Sequence, residues 1–127
     1  MNYRPIFLIN ALVAVLFGLA FLIVPTLALK QFGVDQYAAT RLVSQFFGTA
    51  ILTLGLLLWF AKDITDQSLL KGTGIALMIG SAAGLIITLI GTANGILRTN
   101  WWIAALVYTL FGLVYAYLVF LQPRSQA

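Results

Sequence analysis

The chain is predicted to be an all-α integral membrane protein, one domain over residues 1–127 folded as a four-helix bundle in antiparallel up-down-up-down order. Three observations carry this reading. Of the 127 residues, 62% are apolar and 8% are Asp, Glu, Lys or Arg, against roughly 25% charged in a soluble domain. A soluble chain of this length has too little interior to hide so much apolar surface. The apolar residues gather in four charge-free blocks, each about 20 residues and so about 30 Å long as a helix, the thickness of the hydrocarbon core.

The first block, 6–24, follows Arg4. Its length and the absence of a small-residue cleavage pattern in PTLALKQFG predict a retained helix rather than a signal peptide. Pro25 stops it and Gly33 supplies a turn. Between them Leu27, Leu29 and Phe32 alternate with Lys30, which fits either an ordered loop or a short amphipathic surface helix.

The second block, 42–60, begins beside Arg41. Arg41, Gln45, Thr49 and Thr53 form one row, and Ser44, Gly48, Ile51 and Gly55 form another at spacings of four, three and four. Gln45 is the candidate for a buried hydrogen bond, because an unpartnered amide facing lipid is costly. A direct bond to Asn10 is not expected, since the two start at opposite membrane depths. Thr49 and Thr53 can return their hydroxyls to their own helix backbone.

The third block, 73–93, carries a row of small residues every fourth position: Gly72, Ala76, Gly80, Gly84, Thr88 and Thr92. Such a row lets a neighbouring backbone approach closely, either inside the bundle or from a partner. The fourth block, 101–121, opens with Trp101 and Trp102 and presents Tyr108, Phe111 and Tyr115 on one aromatic packing face. Its segment ALVYTLFGL at 105–113 matches ALVAVLFGL at 11–19 in seven of nine letters, around Gly112 and Gly18. The connections 61–72 and 94–100 are short enough to join antiparallel neighbours.

Charge and residue absences limit the chemistry. There is no Cys and no His, which removes disulfides, Cys/His zinc sites, thiolate nucleophiles and imidazole catalysis. Asp35, Asp63 and Asp66 are the whole carboxylate inventory. Asp63 and Asp66 share a three-residue spacing, but the neighbouring Lys62 and Lys71 make an ordinary charged turn the simpler reading. No enzyme activity, metal or cofactor is expected. The net charge of +4 is scattered singly, which suits anionic headgroups rather than nucleic acid. Arg41, Arg98, Trp101 and Trp102 fall on one side and are candidate lipid headgroup contacts. Arg4, Lys62, Lys71 and Arg124 on the other side slightly outnumber Lys30, Arg41 and Arg98, which places both termini in the cytoplasm.

The run LFGLAFLIVP at 16–25, the Phe32-Gly33 pair and ATRLVSQFFGTAILTLGLLL at 39–58 resemble a family of small bacterial membrane proteins with four transmembrane helices and no known function. The resemblance covers the first two helices best. It implies a compact inner-membrane bundle with no assigned reaction and contributes no catalytic residue. The expected role is a small accessory or structural subunit packing in a larger membrane complex or with itself. The alternative is an intramembrane binder of lipid or another hydrophobic ligand.

Overall fold

In lipid every backbone N–H and C=O must find its partner within the protein, so an apolar chain of this kind folds as helix. The computed structural model describes residues 3–121, which contain helices and no strand. In chain order these are α1 (Tyr3–Ile23), α2 (Pro25–Gln31), α3 (Ala38–Ala61), α4 (Gln67–Ala93) and α5 (Trp101–Ala116), the last continuing into a π-helical turn at Tyr117–Leu121. Four of them, α1, α3, α4 and α5 with its π turn, are long and apolar enough to cross a membrane. Arg124 lies outside the described residues.

The helices outrun the apolar blocks at their starts, by three residues in α1, four in α3 and six in α4. The reason is clearest at α4. Asp66 caps it, its carboxylate accepting from the backbone N–H of Ser68 at 2.9 Å and of Leu69 at 3.3 Å, which satisfies two donors the helix itself cannot. Hydropathy marks where hydrocarbon begins, whereas the cap marks where the helix begins. The polar first turns lie between the two.

At Pro25 the chain restarts immediately as α2, with the proline in the first turn, where its missing N–H costs nothing. The segment is thus a short helix, with Leu29 buried and Lys30 exposed.

The helices pack in two principal pairs, α1 with α3 and α4 with α5, while α2 leans on α1 and α3. Small residues set the first pair. A Cβ placed on Gly18 would lie 2.6 Å from the Leu52 nitrogen, one on Gly48 2.7 Å from the Gly18 carbonyl oxygen, and one on Gly55 2.9 Å from the Val15 nitrogen. Backbone touches backbone there, and the contacts run in opposite chain directions. The buried residues of α1 are Phe7, Ala11, Ala14 and Gly18, and those of α3 are Ser44, Gly48, Gly55 and Leu58. Steps of three, four or seven residues keep one helix face against a neighbour, drifting only about 20° per seven residues.

Large side chains join the two pairs. Phe7, Ala11, Leu58, Leu70, Tyr115 and Leu118 form the buried core. The Phe7 and Tyr115 ring centroids are 6.1 Å apart, and the Tyr3 ring packs on Gly74. The remaining apolar surface faces outward: Leu16, Phe46 and Phe60 are each more than two-thirds exposed. In water such a surface would drive aggregation, but against lipid tails it is the ordinary exterior.

Candidate functional site

The sequence marks three groups of residues, and the structure puts each into a definite setting. Of the candidate headgroup contacts, Arg98 forms an ion pair with Asp35 at 2.8 Å, and the Arg41 guanidinium donates to the Gln36 carbonyl at 3.0 Å. Trp101 and Trp102 open α5 and are both exposed. The Gln45 amide donates to the carbonyl of Leu22 at 3.2 Å, one of the last carbonyls of α1 that have no helical partner of their own. The two arginines are therefore held by the protein's own loops, and Gln45 ties α3 to the end of α1.

Around Arg98 lies a junction with no counterpart in the sequence reading. The Phe32 carbonyl accepts from the backbone N–H groups of Arg98 at 2.9 Å and Thr99 at 3.2 Å. The Gln31 carbonyl accepts from the Thr99 hydroxyl at 2.8 Å and the Asn100 amide at 2.7 Å. The end of α2 is thereby capped by the loop between α4 and α5. Gly33, at φ +66°, lets this loop come close, since a Cβ there would meet the Arg98 and Thr99 atoms at 3.0–3.2 Å. Asn100 takes the left-handed conformation as well, one that Asn tolerates better than most residues. Asp35 is the sole acidic residue between Pro25 and Phe60, and that isolation is the signal by which its pairing could have been anticipated.

The row from Gly72 to Thr92 does not keep to one face of α4. Gly72, Ala76 and Gly80 are exposed, with open space above Gly72 and Gly80 out to 4 Å. Gly84 lies against the Tyr108 ring and Thr88 is buried, while Thr92 is half-buried. Helix geometry causes this division. Four residues turn an α-helix about 40° past a full circle, so six such positions wind about 200° around it. The hydroxyls of Thr88 and Thr92 bond to the Gly84 and Thr88 carbonyls at 2.8 Å, as those of Thr49 and Thr53 do to Gln45 and Thr49 at 2.9 Å. The residues α4 actually buries are Leu70, Gly74, Ser81 and Thr88.

The aromatic face of α5 is taken up by packing. Tyr108 covers Gly84, Phe111 stacks on Tyr115 with centroids 6.2 Å apart, and Tyr115 is fully buried. Its hydroxyl accepts from the Asn10 amide at 2.7 Å, a polar bond between α1 and α5 within the span.

Each carboxylate is engaged. Asp35 holds Arg98, and Asp66 caps α4. Asp63 pairs with Arg4 at the start of α1 and with Lys62 at 3.2 Å. Lys62 in turn lies over the Trp59 ring, 4.3 Å from its centroid, a cation–π contact. Hydrogen bonds from Arg4 and then Lys62 hold the Asp63 carboxyl below the usual carboxylate range. Asp63 and Asp66 thus do separate structural jobs, an ion-paired clamp and a helix cap. Comparison with family models, with curated proteins and with solved structures found no match.

Proposed function

We propose that this protein is a small accessory or structural subunit of the bacterial inner membrane, without enzymatic activity, that packs through α4 into a larger membrane complex or against copies of itself. In this reading the four spans form an antiparallel up-down-up-down bundle with both termini in the cytoplasm. The observation that carries the proposal is the outward row Gly72, Ala76 and Gly80, above which two positions have nothing within 4 Å. Lipid tails gain nothing from such a groove, whereas a second helix can bring its backbone into it and collect dispersion contacts along its length.

The internal seams support the reading by contrast. Gly18, Gly48, Gly55, Gly74 and Gly84 are already filled by neighbouring helices, so the outward glycines are not needed for the fold. Antiparallel order is supported by the opposed contacts of α1 and α3 and by the Arg4–Asp63 pair, which brings the start of α1 to the turn after α3. The excess of Arg4, Lys62, Lys71 and Arg124 over Lys30, Arg41 and Arg98 supports cytoplasmic termini. A second reading, an intramembrane lipid or hydrophobic-ligand binder, draws on a cavity beside α2.

The test is extraction from native membranes into polymer nanodiscs, with particle mass and co-purifying chains identified by mass spectrometry. The expected result is a defined assembly that Gly80→Leu dissociates while the monomer keeps its thermal stability. A monomeric particle with no partner would overturn the proposal.

A further inference from the structure

The α2 junction roofs a cavity. Where Gln31 and Phe32 meet Asn100, a half-open hollow of about 230 Å³ runs between α1, α2 and the start of α5, walled by Phe17, Phe21, Ala28, Phe32 and Ile103. Phe21 and Phe32 lie nearly parallel with centroids 6.4 Å apart, and Phe47 braces Phe21 edge-on at 5.2 Å. The polar atoms at the roof are already satisfied. The Gln31 carbonyl takes two donors and the Phe32 carbonyl two more. What the hollow offers an occupant is hydrocarbon and aromatic surface.

An apolar cavity of about 150 Å³ stays dry and accepts a benzene ring, so this one has room for a stretch of methylenes. Its walls lie on membrane-spanning α1 and α5 and on α2 at the end of α1, where the molecules at hand are lipids. An acyl chain gains little by moving from one apolar medium to another, so the fit supplies location but not preference. Preference comes from charge. The connections on this face carry Lys30, Arg41 and Arg98 against the single carboxylate of Asp35. Arg98 is paired with that carboxylate. Lys30, exposed on the side of α2 away from Ala28, Gln31 and Phe32, and Arg41, bonded only to a carbonyl, have no ion-pair partner among the described residues and leave these connections with a net positive charge.

We propose that the hollow holds one acyl chain of an anionic phospholipid whose headgroup is drawn by the net positive charge of these connections, to which Lys30 contributes. The site rests on the second reading above, the lipid or hydrophobic-ligand binder, and is separate from the outward row on α4 and its packing role. It differs from the pattern the sequence suggested, in which Arg41, Arg98 and the tryptophans gripped the headgroup. Both arginines have protein partners here, and the chain rather than the headgroup defines the position.

The test uses the full-length protein in phosphatidylcholine nanodiscs doped with a phospholipid whose tail carries a diazirine, with labelled residues mapped by mass spectrometry. The probe is phosphatidylglycerol in one arm and phosphatidylcholine in the other. The expected result is stronger labelling of Phe17, Phe21 and Phe32 than of the outward Val43 and Phe46 on α3, and stronger cavity labelling by the anionic probe. Lys30→Gln lowers that preference about fivefold, the effect of one interfacial cation. Ala20, which also lines the hollow, and Ala28 are replaced in Ala20→Trp and Ala28→Leu, which fill it from α1 and from α2, and each brings cavity labelling down to that of Val43 and Phe46. An unchanged thermal unfolding midpoint shows that a variant is folded. Cavity labelling no higher than outward labelling, equal labelling by the two probes, a preference unmoved by Lys30→Gln, or indifference to both filling variants would overturn the proposal.

Discussion

The Asn10 amide and the Tyr115 hydroxyl bond to each other within candidate spans, where water is not at hand to replace a lost partner. Interhelical hydrogen bonds in membranes are nevertheless modest, averaging about 0.6 kcal/mol in double-mutant cycles. An Asn10→Leu and Tyr115→Phe cycle is therefore expected to give a coupling of about 0.5–1.5 kcal/mol in reversible unfolding. A coupling near zero would mean that the aromatic packing of Phe7 and Phe111, not the bond, joins the helix pairs. Asp63 acts at the same scale but on the membrane face. Its carboxyl is held below the usual range by Arg4 and Lys62, so its contribution is complete above the unfolded carboxylate value of about 3.9 and is lost as pH falls through the lower folded value. Acidification below about pH 4 is expected to loosen the tie between the start of α1 and the turn after α3. Thermal melts as a function of pH check this, and Asp63→Asn removes the component of pH dependence that belongs to this pair.

Among the helices, glycine has two opposite meanings, and the distinction is measurable. At Gly48 an added methyl would meet the Gly18 carbonyl oxygen and the Leu22 nitrogen at 2.7 Å, atoms that move only if the helices part. Gly48→Ala is expected to destabilise the fold by about 1–3 kcal/mol, the range for overpacking a tight contact. Gly80→Ala meets open space and replaces the poorer helix former, so it is expected to leave monomer stability unchanged or slightly raised. Comparison of the two variants by unfolding in mixed micelles tests the assignment of inner and outer faces. The same contrast shows what could be read without coordinates. On α3 three members of the row Ser44, Gly48, Ile51 and Gly55 are residues the helix buries, and Ile51 is half-buried. On α4 the every-fourth row winds around the helix, and the buried set Leu70, Gly74, Ser81 and Thr88 follows a step of four and then two of seven instead. A period of 3.5 to 3.6 had to be applied to both helices to separate seam from exterior.

Across the whole molecule, the four spans were legible because hydrophobic length is a strong and local signal. The ties between distant segments were not, because they pair residues far apart in a chain whose apolar alphabet carries little specificity. Arg98 with Asp35, the carbonyls of Gln31 and Phe32 with Thr99 and Asn100, and Arg4 with Asp63 all belong to this class. Depth matching offers a partial route. Asn10 stands near the start of the first span and Tyr115 near the end of the last, depths that the antiparallel order expected from the sequence brings to one level. Charge offers another, since Asp35 stands alone among the cations of its face.

The most direct test of the packing role uses the absence of cysteine from the chain. Gly80→Cys on the outward row and Leu57→Cys on the exposed side of α3 each introduce a single thiol, to which a maleimide-linked benzophenone is attached in native membranes and then photolysed, so that the neighbour needs no thiol of its own. The account predicts a discrete crosslinked species, a dimer or one defined partner adduct, from Gly80→Cys and none from Leu57→Cys. No product from Gly80→Cys, or equal and diffuse products from both positions, would contradict it.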